Sequence, residues 1–280
     1  MDDFVFDRAA ALAAVPEFAA IYRSRPLPAN PGGMGFNHSF ATWFLLRALR
    51  PEVVVESGVW RGHSTWLIET AVPRARLFCF DPRPERRVYT SRQATYVTED
   101  FSRHDWSRIN TEDAVVFCDD HQNCYERLKA GAWFGFRHFI FEDNFPCGEG
   151  DAYSPRHVLA GHGHPHLQMS RHYEREPRQW LKRWFVEPLL RRLGPRQSAI
   201  VPPNLADAAN LRARMAHYQE FPPVAVGNRT YWGTPWSGRY ACETPLFDTL
   251  EGAVAACGET ADAWNWDYGY LCYIRTVPRP

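Results

Sequence analysis

The sequence predicts an α/β fold: a Rossmann-like, doubly wound sheet of seven strands. It is mostly parallel, with an antiparallel last strand and a large insertion after the fifth strand. Three observations predict it. Short runs rich in β-branched and aromatic residues alternate with segments of helical periodicity. The first such run, Val53-Val54-Val55, passes into an acid, two glycines four apart and a Ser-Thr pair across residues 56–65. The first five runs all end in polar clusters, where a parallel sheet binds ligands beyond the carboxyl ends of its strands.

In chain order, residues 4–23 are Ala-rich and apolar around Pro16, which reads as one or two short helices. The Pro- and Gly-rich stretch 25–38 reads as irregular backbone. Phe40, Trp43, Phe44, Leu46 and Leu49 recur at helical spacing, with Asn37 or Ser39 as the cap, so residues 1–50 form an N-terminal helical segment. Pro51 separates them from the first strand. His63–Ala71 follows as a helix, stopped before Pro73. Arg76–Phe80 is a second strand ending at Asp81, and Ala94–Val97 a third, followed by Glu99, Asp100 and Phe101. Ala114–Cys118 runs into Asp119-Asp120-His121-Gln122-Asn123, with a helix over 125–131. His138–Phe141 ends in Glu142-Asp143-Asn144. From residue 146 the chain turns rich in Gly, Pro and His. Helices are expected over 178–193 and 207–218, a sixth strand over 223–226 and a seventh over 268–274, the last two on an antiparallel edge. No repeat or linker stands out. The 280 residues are therefore read as one domain, with 146–225 inserted as a lid that shapes a substrate pocket.

Bulk composition narrows the function. Formal net charge is zero, which predicts neither a nucleic-acid nor an anionic-membrane partner. No apolar run approaches a bilayer span, and the acidic start lacks the pattern of an export signal. Seven scattered cysteines without a C-x-x-C pair predict a reducing compartment, the cytoplasm. Oligomeric state is open, a homodimer included.

The polar clusters suggest a nucleotide-type ligand. The spacing E-x-G-x-x-x-G-x-S, Glu56 to Ser64, lets backbone approach a ligand at Gly58 and Gly62 and brings it to a helix N-terminus. It is not G-x-G-x-x-G, and no Lys follows the second Gly, which excludes a P-loop. Asp81, at the second strand end, is placed to accept both hydroxyls of a ribose. Asp100 with Phe101 can hold and stack on an adenine, or Asp100 can be a solvated loop carboxylate. Asp119, Asp143 and Asn144 form a hard oxygen set suited to Mg²⁺, or else they cap the next helix or loop. His121 reads as a general base, an adenine-side contact or a cap. The histidines 157, 162, 164, 166 and 172 read as a metal site or as part of the lid. Asn37-His38 stands where a loop can close over a ligand.

With these residues in place, the chain resembles the class I S-adenosylmethionine-dependent methyltransferases, and within them the metal-dependent catechol and caffeoyl-CoA type of O-methyltransferase. The family's E-I-G-V-Y-T-G-Y-S is E-S-G-V-W-R-G-H-S here, Glu56 to Ser64. A metal-binding Asp followed six residues later by Tyr is matched by Asp119 and Tyr125, and an Asp-Asn pair by Asp143-Asn144. The likeness covers residues 37–145. It implies S-adenosylmethionine across Gly58 and Gly62, with Glu56 and Ser64 in the same motif, ribose on Asp81, and adenine on Asp100 and Phe101. The methionine end would lie near Asn37 and His38, with Asp119 and His121 also at the donor. Asp119, Asp143 and Asn144 would hold Mg²⁺ beside a small-molecule acceptor. The family's general base is a Lys three residues after the metal Asp, where this chain has Gln122. The resemblance therefore leaves His121, His38 or metal activation at Asp119 to do that work. A metal-dependent hydroxylase or hydrolase on the same fold, or a non-catalytic S-adenosylmethionine-binding protein, are the rival readings.

Overall fold

A computed structural model describes residues 4–145, 152–162, 204–227, 244–261, 264–266 and 270–278. The helix expected over 178–193 and His164, His166 and His172 lie outside the described residues.

Seven strands form one sheet: β1 (Val53–Ser57), β2 (Arg76–Phe80), β3 (Ala94–Val97), β4 (Ala114–Cys118), β5 (His138–Phe141), β6 (Met215–Glu220) and β7 (Cys272–Thr276). Their order is β3-β2-β1-β4-β5-β7-β6. The first five are parallel, and β7 runs antiparallel to both β5 and β6. The fold is thus the expected doubly wound α/β sheet. Every residue of β1, β4 and β5 is buried. That is why these strands read as unbroken apolar runs rather than alternating ones. Val54, Val115 and Ile140 pack into one core, and Val55, Val116 and Phe139 into the other, on opposite faces of the sheet. Each such side chain contributes about 1.5–3 kcal/mol by leaving water.

The helices are α1 (Arg8–Arg23), α2 (Phe36–Leu49), α3 (His63–Ala71), α4 (Cys124–Trp133), α5 (Pro155–Leu159), α6 (Leu205–Arg214) and α7 (Leu250–Cys257). Asp7 caps α1, which runs unbroken through Pro16. Asn123 caps α4. None of the described helices is long and apolar enough to cross a membrane. The five described cysteines, Cys79, Cys118, Cys124, Cys257 and Cys272, are free and buried.

Three expectations are corrected. α2 begins at Phe36 with Gly35 as its cap, so Asn37 and Ser39 lie inside the helix. The sixth strand is Met215–Glu220 rather than 223–226, and the helix before it stops at Arg214. Pro222 and Pro223 have no N–H for a ladder. The apolar residues after them are buried against α2, where Val224 N donates to Asn37 Oδ1 at 2.8 Å. β6 is instead a half-buried strand at the sheet edge, where polar residues are tolerated. It falls inside the stretch 146–225 expected as insertion, so residues 215–220 of that stretch belong to the sheet.

Candidate ligand cavity and acidic centre

The strand order reverses between β1 and β4, which leaves a crevice at their carboxyl ends. Backbone hydrogen bonds bring the loops there together. Gly58 N donates to Phe80 O (3.0 Å), Asp119 N to Ser57 O (2.8 Å) and Glu142 N to Cys118 O (3.0 Å). Gly58 has φ +93°, and a Cβ on it would lie 2.1 Å from Asp119 O, so no side chain fits. Gly62, at φ +89°, caps α3. The loop between these glycines is organised by Asp81. Its Oδ2 accepts from Val59 N (3.1 Å) and Trp60 N (2.6 Å), and its Oδ1 from Arg83 N (2.8 Å).

The crevice holds a cavity of about 580 Å³. Of the residues the sequence nominates, His38, Gly58, Asp81, Asp100, Asp119, His121 and Asp143 line it. Six others do not: Asn37, Glu56, Gly62, Ser64, Phe101 and Asn144. Their side chains or backbone serve the scaffold. Asn37 is buried, and its amide holds Ala225 O (2.8 Å), Trp266 O (2.9 Å) and Val224 N. Glu56 is fully buried and accepts from Thr65 Oγ1 (2.7 Å), with Ser64 also bonded to it. Burial pushes its carboxyl pKa up despite those bonds. Gly62 turns the chain beneath Tyr89 O, 2.5 Å from where its Cβ would be. Phe101 is fully buried beneath the Arg127 guanidinium, 5.1 Å away.

Asn144 departs furthest from expectation. Its Oδ1 accepts from Arg156 N (3.1 Å), and its Nδ2 donates to Tyr218 Oη (2.9 Å) and Glu220 Oε1 (3.3 Å). It ties β5 to α5 and β6. The group that joins Asp119 and Asp143 is His121: one donor atom from each of the three lies within 4.8 Å of the others. His121 Nδ1 is 3.1 Å from Asp143 Oδ2. The residue adopts φ +53°, a left-handed backbone that costs a non-glycine residue about 1–3 kcal/mol.

Glu142 sits beside this trio and pairs with His38 Nδ1. Burial pushes the Glu142 pKa up, but the neighbouring His38 charge and hydrogen bond, with those of Asp143 and His121, outweigh it and hold the group at about 2. Asp119 and Asp143 are pushed well above the ordinary carboxylate range, first by burial and then by the Glu142 charge. Three acids packed this closely call for positive charge. Within the cluster Asp143 Oδ2 meets the His121 imidazole, and two carboxylates with an imidazole are donors a divalent cation accepts. The residues present fit such an ion.

On the other side of the cavity, Arg127 links two acids. Its Nη1 is 2.7 Å from Asp100 Oδ2 and its Nε 2.8 Å from Asp120 Oδ2, which also accepts from Ser57 Oγ (2.6 Å). Burial works against the Asp100 charge, but hydrogen bonds from Ser102 and the Arg127 cation prevail and hold its pKa below the usual value. Trp60, Asp120, Arg127, Glu142, Asn265 and Tyr270 line the cavity without having been singled out from sequence. Glu142 stands in the same E-D-N cluster as Asp143, which could have flagged it. Asn265 and Tyr270 arrive from the far end of the chain with no local signal.

No family model matches this chain, and no curated protein matches it. Among solved structures it is similar to CmcI in its N160 apo form, at 14% identity and a TM-score of 0.34, over 64% of this chain and 61% of that one. The match therefore spans about three-fifths of CmcI. It is similar to the O-methyltransferase from Bacillus cereus in complex with SAH (10% identity, TM-score 0.38, 97% of this chain and 92% of that one). It is also similar to the O-methyltransferase TomG from Streptomyces achromogenes in complex with SAM (12% identity, TM-score 0.39, 95% and 90%).

Proposed function

We propose that this protein is an S-adenosylmethionine-dependent methyltransferase acting on an oxygen of a small molecule, with a divalent cation at Asp119 and Asp143. One observation carries the reading. A single cavity at the sheet's switch point joins a glycine-made backbone approach with two acids, Asp81 and Asp100, to a separate acid–imidazole centre. Donor and acceptor subsites would thus be contiguous.

When bound, S-adenosylmethionine supplies a methyl group made electrophilic by its sulfonium, and a divalent cation supplies charge to hold an acceptor oxygen as its anion. The chain's own residues do the rest. Gly58 lets the β1 and β4 loops close on each other, and its backbone lines the cavity. Asp81, whose carboxylate is fixed by three backbone N–H groups, keeps about one of its four lone-pair sites and would accept from one hydroxyl of the donor's diol. Asp100, kept ionised by its hydrogen bonds from Ser102 and by Arg127, would accept from the donor's amine. Asp119 and Asp143 would hold the cation. Holding the two reactants in line is most of the catalysis such a transfer needs. Gln122 offers no proton acceptor in the slot where the resembling enzymes have Lys, so in this reading His38, which lines the cavity and pairs through Nδ1 with Glu142, would take the acceptor's proton.

Calorimetric titration with S-adenosylmethionine and S-adenosylhomocysteine, with and without divalent cation, tests the reading. Micromolar binding supports it. Absence of binding in both conditions refutes it. A second reading, a metal-dependent hydroxylase or hydrolase, draws support from the imidazole in the acidic centre; turnover without a methyl donor would favour it.

A further inference from the structure

The acidic centre differs from an oxygen-only Mg²⁺ site in one donor, and that difference bears on which metal it takes. Resting on the proposed methyltransferase function, we infer that His121 is the third protein ligand of the cation and that the centre takes a borderline ion such as Zn²⁺ or Co²⁺ in place of Mg²⁺.

Three observations carry it. First, Asn144, the amide the sequence pattern nominates, has its oxygen on Arg156 N and its nitrogen on Tyr218 and Glu220, and it does not line the cavity. Recruiting it would break a buried network that includes the Arg156–Glu220 ion pair. Second, His121, Asp119 and Asp143 already place one donor atom each within 4.8 Å of one another. Third, His121 is held in a left-handed conformation directly after the Asp119-Asp120 turn. Backbone strain of this kind persists where the surroundings hold it, and here the Nδ1 atom meets Asp143 Oδ2 at 3.1 Å.

The donor set decides the chemistry. Mg²⁺ is a hard ion that prefers oxygen and water in a near-octahedral shell. Imidazole suits Zn²⁺, Fe²⁺ and Ni²⁺, with Co²⁺ between the last two in affinity, whereas Mn²⁺ shares with Mg²⁺ a preference for carboxylate and water oxygens. Replacing an amide oxygen by an imidazole nitrogen therefore tilts the site away from Mg²⁺. Any site of this kind binds Zn²⁺ more tightly than Mg²⁺, so the informative quantity is the share of that preference that His121 supplies.

The experiment uses the full-length protein stripped of metal by a chelator. Co²⁺ is titrated with its visible d–d bands as the readout, then displaced by Zn²⁺, Mn²⁺ or Mg²⁺. S-adenosylhomocysteine affinity is measured on the same samples. His121→Gly is the test variant, because glycine takes the left-handed turn without strain. The expected result is a loss of Co²⁺ and Zn²⁺ affinity of about tenfold or more, changed d–d bands, and Mg²⁺ affinity within about twofold of the parent. Asn144→Ser, which keeps a small polar group, should leave the Co²⁺ spectrum unchanged. Equal losses for all cations in His121→Gly would overturn the inference, as would a Co²⁺ spectrum that responds to Asn144→Ser and not to His121→Gly. If no cation binds at all, the inference falls while S-adenosylhomocysteine binding still decides the methyltransferase reading separately.

Discussion

The ends of β1 and β5 use similar residues in opposite ways. At β1, the acid Glu56 turns into the scaffold, and Ser57 and Gly58 line the cavity. At β5, the first two acids, Glu142 and Asp143, line the cavity, and the following amide, Asn144, turns into the scaffold. Both strands are fully buried, so at each end the pleat and the packing behind it decide which polar group reaches the ligand side. Polar residues at a strand end serve a site and a scaffold together, and their chemical type does not tell which.

Gly58→Val is the change that breaks the β1 side most completely. Its Cβ would lie 2.1 Å from Asp119 O, in a left-handed conformation. A loss of about 3 kcal/mol or more is expected, with S-adenosylhomocysteine binding abolished. Thermal melting and calorimetry check both, and a variant that binds normally would remove Gly58 from the site.

Acid sharpens the contrast through two histidines near these elements. His63 begins α3, just past the glycine loop, and His138 begins β5; both are buried and neutral, with pKa pushed down to about 4, first by burial and then by neighbouring arginines. A pKa below its unfolded value gives stability that is fully present above pH 6.5 and is lost as pH falls through 4. The loss is on the order of 3 kcal/mol for each. In proton NMR, both ring C2–H signals should hold their neutral positions at pH 5. Titration of either near 6.5 would contradict the burial argument.

On the β5 side, Asn144→Ala should cost about 2–3 kcal/mol, because Arg156 N and the Tyr218 hydroxyl lose a buried partner. Urea unfolding measures it. Little loss of stability would mean the network with α5 and β6 is not what holds this residue. Smallest of all, Glu126→Gln removes an exposed partner of Lys129 on α4 and should shift stability by less than about 0.5 kcal/mol. A larger shift in the same assay would show that α4 couples to the site through more than Arg127.

Much of the architecture is legible in the sequence. The ranges of β1 to β5 are readable because doubly buried parallel strands are short apolar runs between turn residues. The C-terminal strands are not, because β6 (M-A-H-Y-Q-E) is half-exposed and polar, while the apolar stretch after Pro222 packs on α2 instead. In the site, Asp81, Asp100, Asp119 and Asp143 are readable from their place after strands. Asn37, Glu56, Ser64 and Asn144 mislead because a buried polar group bonded to backbone has the same letter as one facing a ligand. Arg127 and Tyr270 carry no signal at all, since the cavity they line is assembled from distant segments.

Local pattern thus determined the sheet's composition, the parallel run of its first five strands and the crevice at their carboxyl ends, because hydrophobic periodicity and turn chemistry act between near neighbours in the chain. Only the tertiary structure brought His121 to Asp119 and Asp143 and turned the Asn144 amide to Arg156 and Tyr218. That outcome depends on whether Arg156 and Tyr218 arrive to satisfy the amide, and a buried polar group bonds whichever partner packing brings within reach.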